Sequence, residues 1–149
     1  MEDEHGVAQA FVYNPISDEL YYAHRGLGVS LLNGHPIRVS QVAVLSEAVI
    51  VMGFSANFPN IQRYHDQWAH LFQRSRKALG LLSPALNLCN VARGRIDAFV
   101  DFGSSMEGHA AGALIVGNAG GLAINYDNAP WDHRSEGVIA WNGHLSLRE

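Results

Sequence analysis

Apolar and polar positions divide the chain near Ser40. Before that point, short segments of strand-like composition are separated by turn-forming residues. Val7 to Val12 predicts a strand, ended by Tyr13-Asn14-Pro15 because proline cannot donate to a ladder. Asn14 to Asp18 has the residue types of a turn, and Glu19 to His24, rich in Leu20, Tyr21 and Tyr22, predicts a second strand. Gly26-Leu27-Gly28 allows a bend before a third strand, Val29 to Leu32. Asn33-Gly34 predicts a tight turn, because both residues tolerate positive φ. Pro36 to Ser40 follows as a short edge strand. Residues 1–40 therefore read as a β-meander.

After Ser40 the periodicity changes. Ala48 to Phe54 is a continuous apolar run, the pattern of a strand covered on both faces. A helix is expected from Asn60, as N-cap, to about Leu79, with Gly80 ending it. Its apolar positions, Ile61, Tyr64, Trp68, Leu71, Phe72 and Leu79, fall mostly on one stripe. The basic cluster Arg74, Arg76 and Lys77 would close that helix, where positive charge offsets the helix dipole. Ser83-Pro84 predicts another helix, with the hydroxyl as cap and proline at the first helical position, closed by Gly94. Ile96 to Asp101 reads as a short strand, His109 to Asn118 as a helix of small residues ended by Gly120-Gly121, and Leu122 to Tyr126 and Val138 to Trp141 as final strands. Strands alternating with helices predict an α/β layered portion over residues 41–149, forming one compact unit with the meander.

Composition narrows the functional classes. With 149 residues, 48% hydrophobic and 16% charged, the chain has the balance of an ordinary globular domain. A formal charge of −4 argues against nucleic-acid binding, which calls for a basic face. The single cysteine, Cys89, lies in an apolar run and reads as a buried, inert thiol in a reducing compartment. Met1-Glu2-Asp3-Glu4-His5 is no signal peptide, and no apolar stretch is long enough for a membrane span, so the expected location is the cytoplasm. His65 and His70, five apart, do not share a helical face and make a poor zinc pair. No dinucleotide fingerprint, nucleophile elbow or phosphate-cradling Gly-Lys-Ser/Thr loop occurs.

Four blocks in register carry a resemblance. Tyr13-Asn14-Pro15 with Asp18-Glu19-Leu20-Tyr21, then Arg25-Gly26-Leu27-Gly28 and Leu32 to Ser40, resemble the middle of inositol monophosphatases. Ala85 to Phe99 is similar to that family's later helix-and-strand block, and Ala110 to Val116 with Gly120-Gly121 continues the match. The resemblance implies a layered α/β sandwich truncated to its C-terminal half, in a family that hydrolyses phosphate monoesters of polyols and sugars with magnesium and often forms homodimers. Such hydrolysis is so slow uncatalysed that accelerations reach about 10²¹-fold. Magnesium ions held by carboxylates supply the charge neutralisation and the activated water.

The same resemblance marks what this chain lacks. Two acidic motifs that give the family most of its metal ligands lie upstream of the first strand here, and nothing matches them. Glu2, Asp3 and Glu4 read as a solvated terminus. A third motif places a metal-ligating Asp after a Trp at a helix start. Aligned through Ala110-Ala111-Gly112, the Trp and Asp positions are Glu107 and Gly108. Glu107 is a weak substitute candidate, and Trp131-Asp132 reads as a surface loop. Where the family has Gly-Ser/Thr-Ala, this chain has Leu82-Ser83-Pro84, so Ser83 presents its hydroxyl to a substrate or caps the helix. Asp101 sits where the family often hydrogen-bonds substrate hydroxyls, or is a strand-end carboxylate in water. The expectation is a phosphatase-like domain without catalysis or bound magnesium on its own. One alternative is half of a split phosphatase completed by another polypeptide. Another is a non-catalytic polyol-phosphate-binding or homodimerising module.

Overall fold

The computed structural model describes residues 1–54, 61–81, 83–102 and 106–147. The expected N-cap Asn60 and the residue Leu82 lie outside them. A short hairpin, β1 (Glu2–Asp3) and β2 (Gly6–Val7), precedes a four-stranded antiparallel meander of β3 (Gln9–Asn14), β4 (Glu19–His24), β5 (Ser30–Leu32) and β6 (His35–Ile37). Two expectations shift here. Val7 belongs to the hairpin, and Tyr13 and Asn14 continue β3 rather than ending it, because they still pair with Leu20 and Glu19. The last strand stops at Ile37, and Val39 leaves the sheet to donate to the Ala119 carbonyl.

Asn33 explains why the meander closes where it does. Asn33 and Gly34 both adopt positive φ, 48° and 81°, the geometry of a two-residue hairpin turn matched to the twist of its strands. The Asn33 carboxamide then accepts from the Leu20 amide at 2.8 Å and donates to the Asp18 carbonyl at 2.9 Å. One side chain thus fastens two successive hairpins together.

The second sheet has the order β10-β11-β9-β7-β8, built from β7 (Val49–Phe54), β8 (Lys77–Gly80), β9 (Ala98–Phe102), β10 (Leu122–Ile124) and β11 (Val138–Trp141). β7 is parallel to β8 and β9, while β11 is antiparallel to β9 and β10. The expected long helix is divided: α1 (Ile61–Arg74) ends before Arg76, and Lys77 to Gly80 form β8. Leu79 therefore lies in a strand beside Val51, and of the basic cluster only Arg74 occupies the last helical turn. The tenth-strand expectation also shortens, since Tyr126 lies beyond β10, buried and hydrogen-bonded by its hydroxyl to the Asp101 carbonyl.

Helices α2 (Pro84–Ala92) and α3 (Met106–Asn118) fill the space between the two sheets. Alternation in the strands sorts the core into two parts. Val51, Phe99, Val138 and Ala140 face α2 and α3, joined from the meander by Ala10, Tyr21 and Ala23. Ile50, Ala98, Val100 and Ile139 face the opposite way, onto Trp68 and Leu71 of α1. Each Val, Ile, Leu or Phe side chain among them, removed from water, contributes about 1.5–3 kcal/mol. The layers run meander, helix pair, mixed sheet, helix α1. Cys89 sits in the middle of this stack, fully buried, and burial pushes its thiol up to about 12. Among the described residues no helix is long and apolar enough to cross a membrane.

Two polar ties hold the layers in register. Asp97 accepts from the Ser40 hydroxyl and, at 2.7 Å, from the Val49 amide, while Asn142 donates to the Ser40 hydroxyl and the Val42 carbonyl at 2.8 Å each. Arg93, at the end of α2, pairs with Glu19 of β4 and donates to the Tyr21 hydroxyl at 2.9 Å. The Arg93 guanidinium holds the Glu19 carboxyl below the ordinary glutamate range. A depressed folded-state value contributes stability at pH above the unfolded value and loses it as pH falls through the folded one. We therefore expect stability, followed by urea denaturation, to decline from about pH 5 downward, and Arg93→Met to flatten that acid limb. An unchanged limb in the variant would place the acid-sensitive group elsewhere.

Candidate functional site

The starts of α2 and α3 come together at Pro84 and Gly108, whose chain neighbours Ser83 and Glu107 were also picked out by sequence. Gly108 lies in the first turn of α3, and a Cβ on it would stand 3.6 Å from Pro84 Cβ and 3.8 Å from Pro84 Cγ at the start of α2. Glu107 precedes Gly108, exposed, with its negative charge at the end of the helix where the dipole favours it. Ser83 is exposed immediately before Pro84. α3 begins at Met106 rather than at His109, so the Gly108 position is inside the helix and not ahead of it.

Ser83 departs from the capping expectation. Its backbone is left-handed, φ 79° and ψ 80°, and its side chain makes no capping hydrogen bond. A serine cap needs an extended backbone to swing its hydroxyl over the free amides of the first turn, and the left-handed conformation points it elsewhere. The Ser83 carbonyl still accepts the first helical bond, from Asn87 at 3.1 Å, and the Asn87 carboxamide ties the approach by donating to the Leu81 carbonyl at 3.2 Å.

Asp101 is not in water. It is fully buried on the helix side of β9, and His109 of α3, also fully buried, sits against it with Nε2 2.6 Å from Oδ2. Sequence reasoning missed His109 as a partner. The available signal was the alternation that puts Asp101 on the same face as Phe99, toward α3. Among the described residues, the outer atoms of this pair, Asp101 Oδ1 and His109 Nδ1, have no hydrogen-bond partner. Oδ1 fills the space over Gly53 of β7, where a Cβ would stand 2.5 Å from it. Glycine at 53 is therefore what lets a carboxylate enter the sheet face.

These donors do not fit magnesium. The ion requires near-octahedral oxygen ligands, usually with one or two carboxylates. Gly108 has no side chain, Asp101 is enclosed with a histidine, and among the described residues no group of three or more His, Cys, Asp or Glu is placed to hold a metal. Trp131 and Asp132 lie in the loop between β10 and β11 and line a cleft with Ala110 and Ala113 of α3; Trp131 packs partly buried against the core, while Asp132 is exposed and accepts from the Arg134 amide at 2.8 Å.

The comparisons place this arrangement. Inositol monophosphatase 2 of Solanum lycopersicum is 38% identical over 138 residues, covering 90% of this chain and 51% of its own length. Inositol-1-monophosphatase of Synechocystis is 33% identical over 135 residues, covering 90% of this chain and 47% of its own. The solved structure of a Thermotoga maritima IMPase superposes with a TM-score of 0.81 at 32% identity, over 93% of this chain and 52% of that one. The chain thus spans about half the length of the relatives it matches. Since the model of the inositol monophosphatase family matches residues 2–148, with the layers and helix starts described above, the chain belongs to the inositol monophosphatase family.

Proposed function

We propose that this chain is a phosphatase-like half-domain that does not hydrolyse phosphate monoesters by itself. The observation that carries the reading is Gly108. The position where the family places a metal-ligating Asp stands at the meeting of α2 and α3 with no side chain to offer. Of the two acidic candidates, Asp101 is paired inside the core with His109 and Glu107 adds a single exposed carboxylate. The substrate class implied by the family is a phosphorylated polyol or sugar. Ser83, exposed at the start of α2, is the hydroxyl best placed to meet one.

The test is phosphate release by the purified chain from inositol phosphates and sugar bisphosphates with magnesium. Release at the level of a heat-inactivated control is expected, both for the native chain and for Gly108→Asp, since one restored carboxylate does not make a magnesium site. Release that EDTA abolishes would overturn the reading.

A second reading, completion of an active site by another polypeptide, is favoured by the outer face of the meander. Phe11, Tyr13 and Leu20 are large apolar side chains exposed together there. Soluble monomers seldom leave contiguous apolar patches uncovered without an interaction to serve.

A further inference from the structure

The tripeptide Asn-Gly-His occurs twice, at Asn33-Gly34-His35 and at Asn142-Gly143-His144. Asparagine before glycine is the pair most prone to spontaneous deamidation, because a neighbour without a side chain lets its amide nitrogen approach the carboxamide. Local sequence cannot separate the two copies. Both glycines have left-handed backbones, φ 81° and 79°, and among the described residues neither glycine amide has a hydrogen-bond partner. Any difference between the copies is therefore tertiary.

Tertiary structure does separate them. Asn142 is fully buried, and its carboxamide is held at both ends. The nitrogen donates to the Ser40 hydroxyl and the Val42 carbonyl, and the oxygen accepts from the His144 and Leu145 amides at 3.0 and 3.1 Å. Turning it toward Gly143 breaks all of these inside the protein. Asn33 is exposed, and only the Leu20 amide and the Asp18 carbonyl hold its carboxamide. A Cβ built on Gly34 meets nothing within 4 Å, so this turn stands clear of the rest of the molecule. Hydrogen bonds released at a surface are replaced by water, whereas buried groups left unpaired bear their full desolvation cost.

We propose that Asn33 is the site at which the folded chain deamidates, and that the change unfastens the two hairpins it ties together. The Gly34 amide nitrogen gives up its proton and attacks Asn33 Cγ, and ammonia leaves with a proton taken from water. The product is a five-membered succinimide. Water then opens it at one of two bonds. Cleavage between Cγ and nitrogen gives aspartate, and cleavage between the main-chain carbonyl carbon and nitrogen gives isoaspartate. In aspartate an oxygen replaces the donor, so the Asp18 carbonyl faces a second acceptor with no proton between them. In isoaspartate the main chain acquires a methylene carbon within a two-residue turn, and the pairing of Leu32 with His35 loses its register. The proposal does not depend on the functional reading.

The experiment incubates the chain in mildly alkaline buffer, folded and in urea, and follows residues 33 and 142 separately by mass spectrometry of peptides. In urea the two tripeptides should convert at similar rates. In the folded chain Asn33 should convert about tenfold or more faster than Asn142, whose reaction waits on a deeper opening. Asn33→Asp installs one product directly. It should speed amide exchange at Leu20 about tenfold and leave Val51 and Phe99 of the mixed sheet unchanged. If that variant does not fold, the same exchange is read on the native chain after ageing in buffer. Equal conversion at the two positions in the folded chain overturns the proposal, and so does faster conversion at Asn142. Exchange at Leu20 that is indifferent to the change at residue 33 overturns the claim that the hairpins come unfastened.

Discussion

Gly112→Val is expected to lower the stability of this protein by about 3 kcal/mol, at the top of the range for overpacking a core. α2 and α3 cross at this glycine with almost no separation. A Cβ built there stands 3.0 Å from Leu88 Cγ and nearer still to Leu88 Cβ and Cδ1. Leu88 is fully buried between the helix and sheet layers and cannot swing aside. Its Cβ is fixed by the backbone, so relief requires moving a helix. Gly112→Ala should cost less, because one methyl is smaller and alanine recovers about 1 kcal/mol of helix propensity over glycine. Urea denaturation of the two variants and of Gly112→Val with Leu88→Ala measures this. The double variant should lose less than the sum of its parts, since trimming Leu88 makes the room valine needs. Strict additivity would mean that the two helices do not touch at this point.

His109→Leu is expected to cost about 1–3 kcal/mol, the usual penalty for leaving a buried polar group without its hydrogen-bond partner. The expense comes less from the lost 2.6 Å contact than from what stays behind. Asp101 would keep a carboxyl group in the core without that partner, and among the described residues Oδ1 already lacks one. Adding Asp101→Val removes the unpartnered group and should recover part of the loss, leaving the double variant more stable than His109→Leu alone. A His109→Leu protein as stable as the parent would show that Asp101 reaches water, and the family's substrate-contact role for it would regain ground.

Local chemistry made some of this legible and tertiary contact hid the rest. β4 and β11 begin and end where the sequence pattern places them, because each is bounded by turn residues and filled with β-branched or aromatic ones. β8 was not readable. Lys77 to Gly80 are mostly exposed, and Leu79 falls on the same stripe as Trp68 and Leu71, so periodicity extends the helix through them. Only pairing with β7 makes a strand of that segment, and such pairing has no local signature. The capping expectation at Ser83 failed for a different reason: residue type predicts a cap, but backbone dihedral decides whether the hydroxyl can reach. Asp101 lies at a strand end, which suggests solvent. Its burial depends on a histidine eight positions later, on a helix whose start the sequence put three residues too late. Gly108, by contrast, was singled out from the register of Ala110-Ala111-Gly112 alone, and it lies in the first turn of α3 beside Pro84.

The burial of Cys89 has a consequence for how this molecule responds to its surroundings. Alkylating or oxidising reagents act on thiolates, and at neutral pH this sulfur is protonated, enclosed between two sheets and screened by the helix that bears it. Redox signals pass it by while the domain is intact. The chain holds no second sulfhydryl, so any modification that does occur dates from an interval when the layers had come apart.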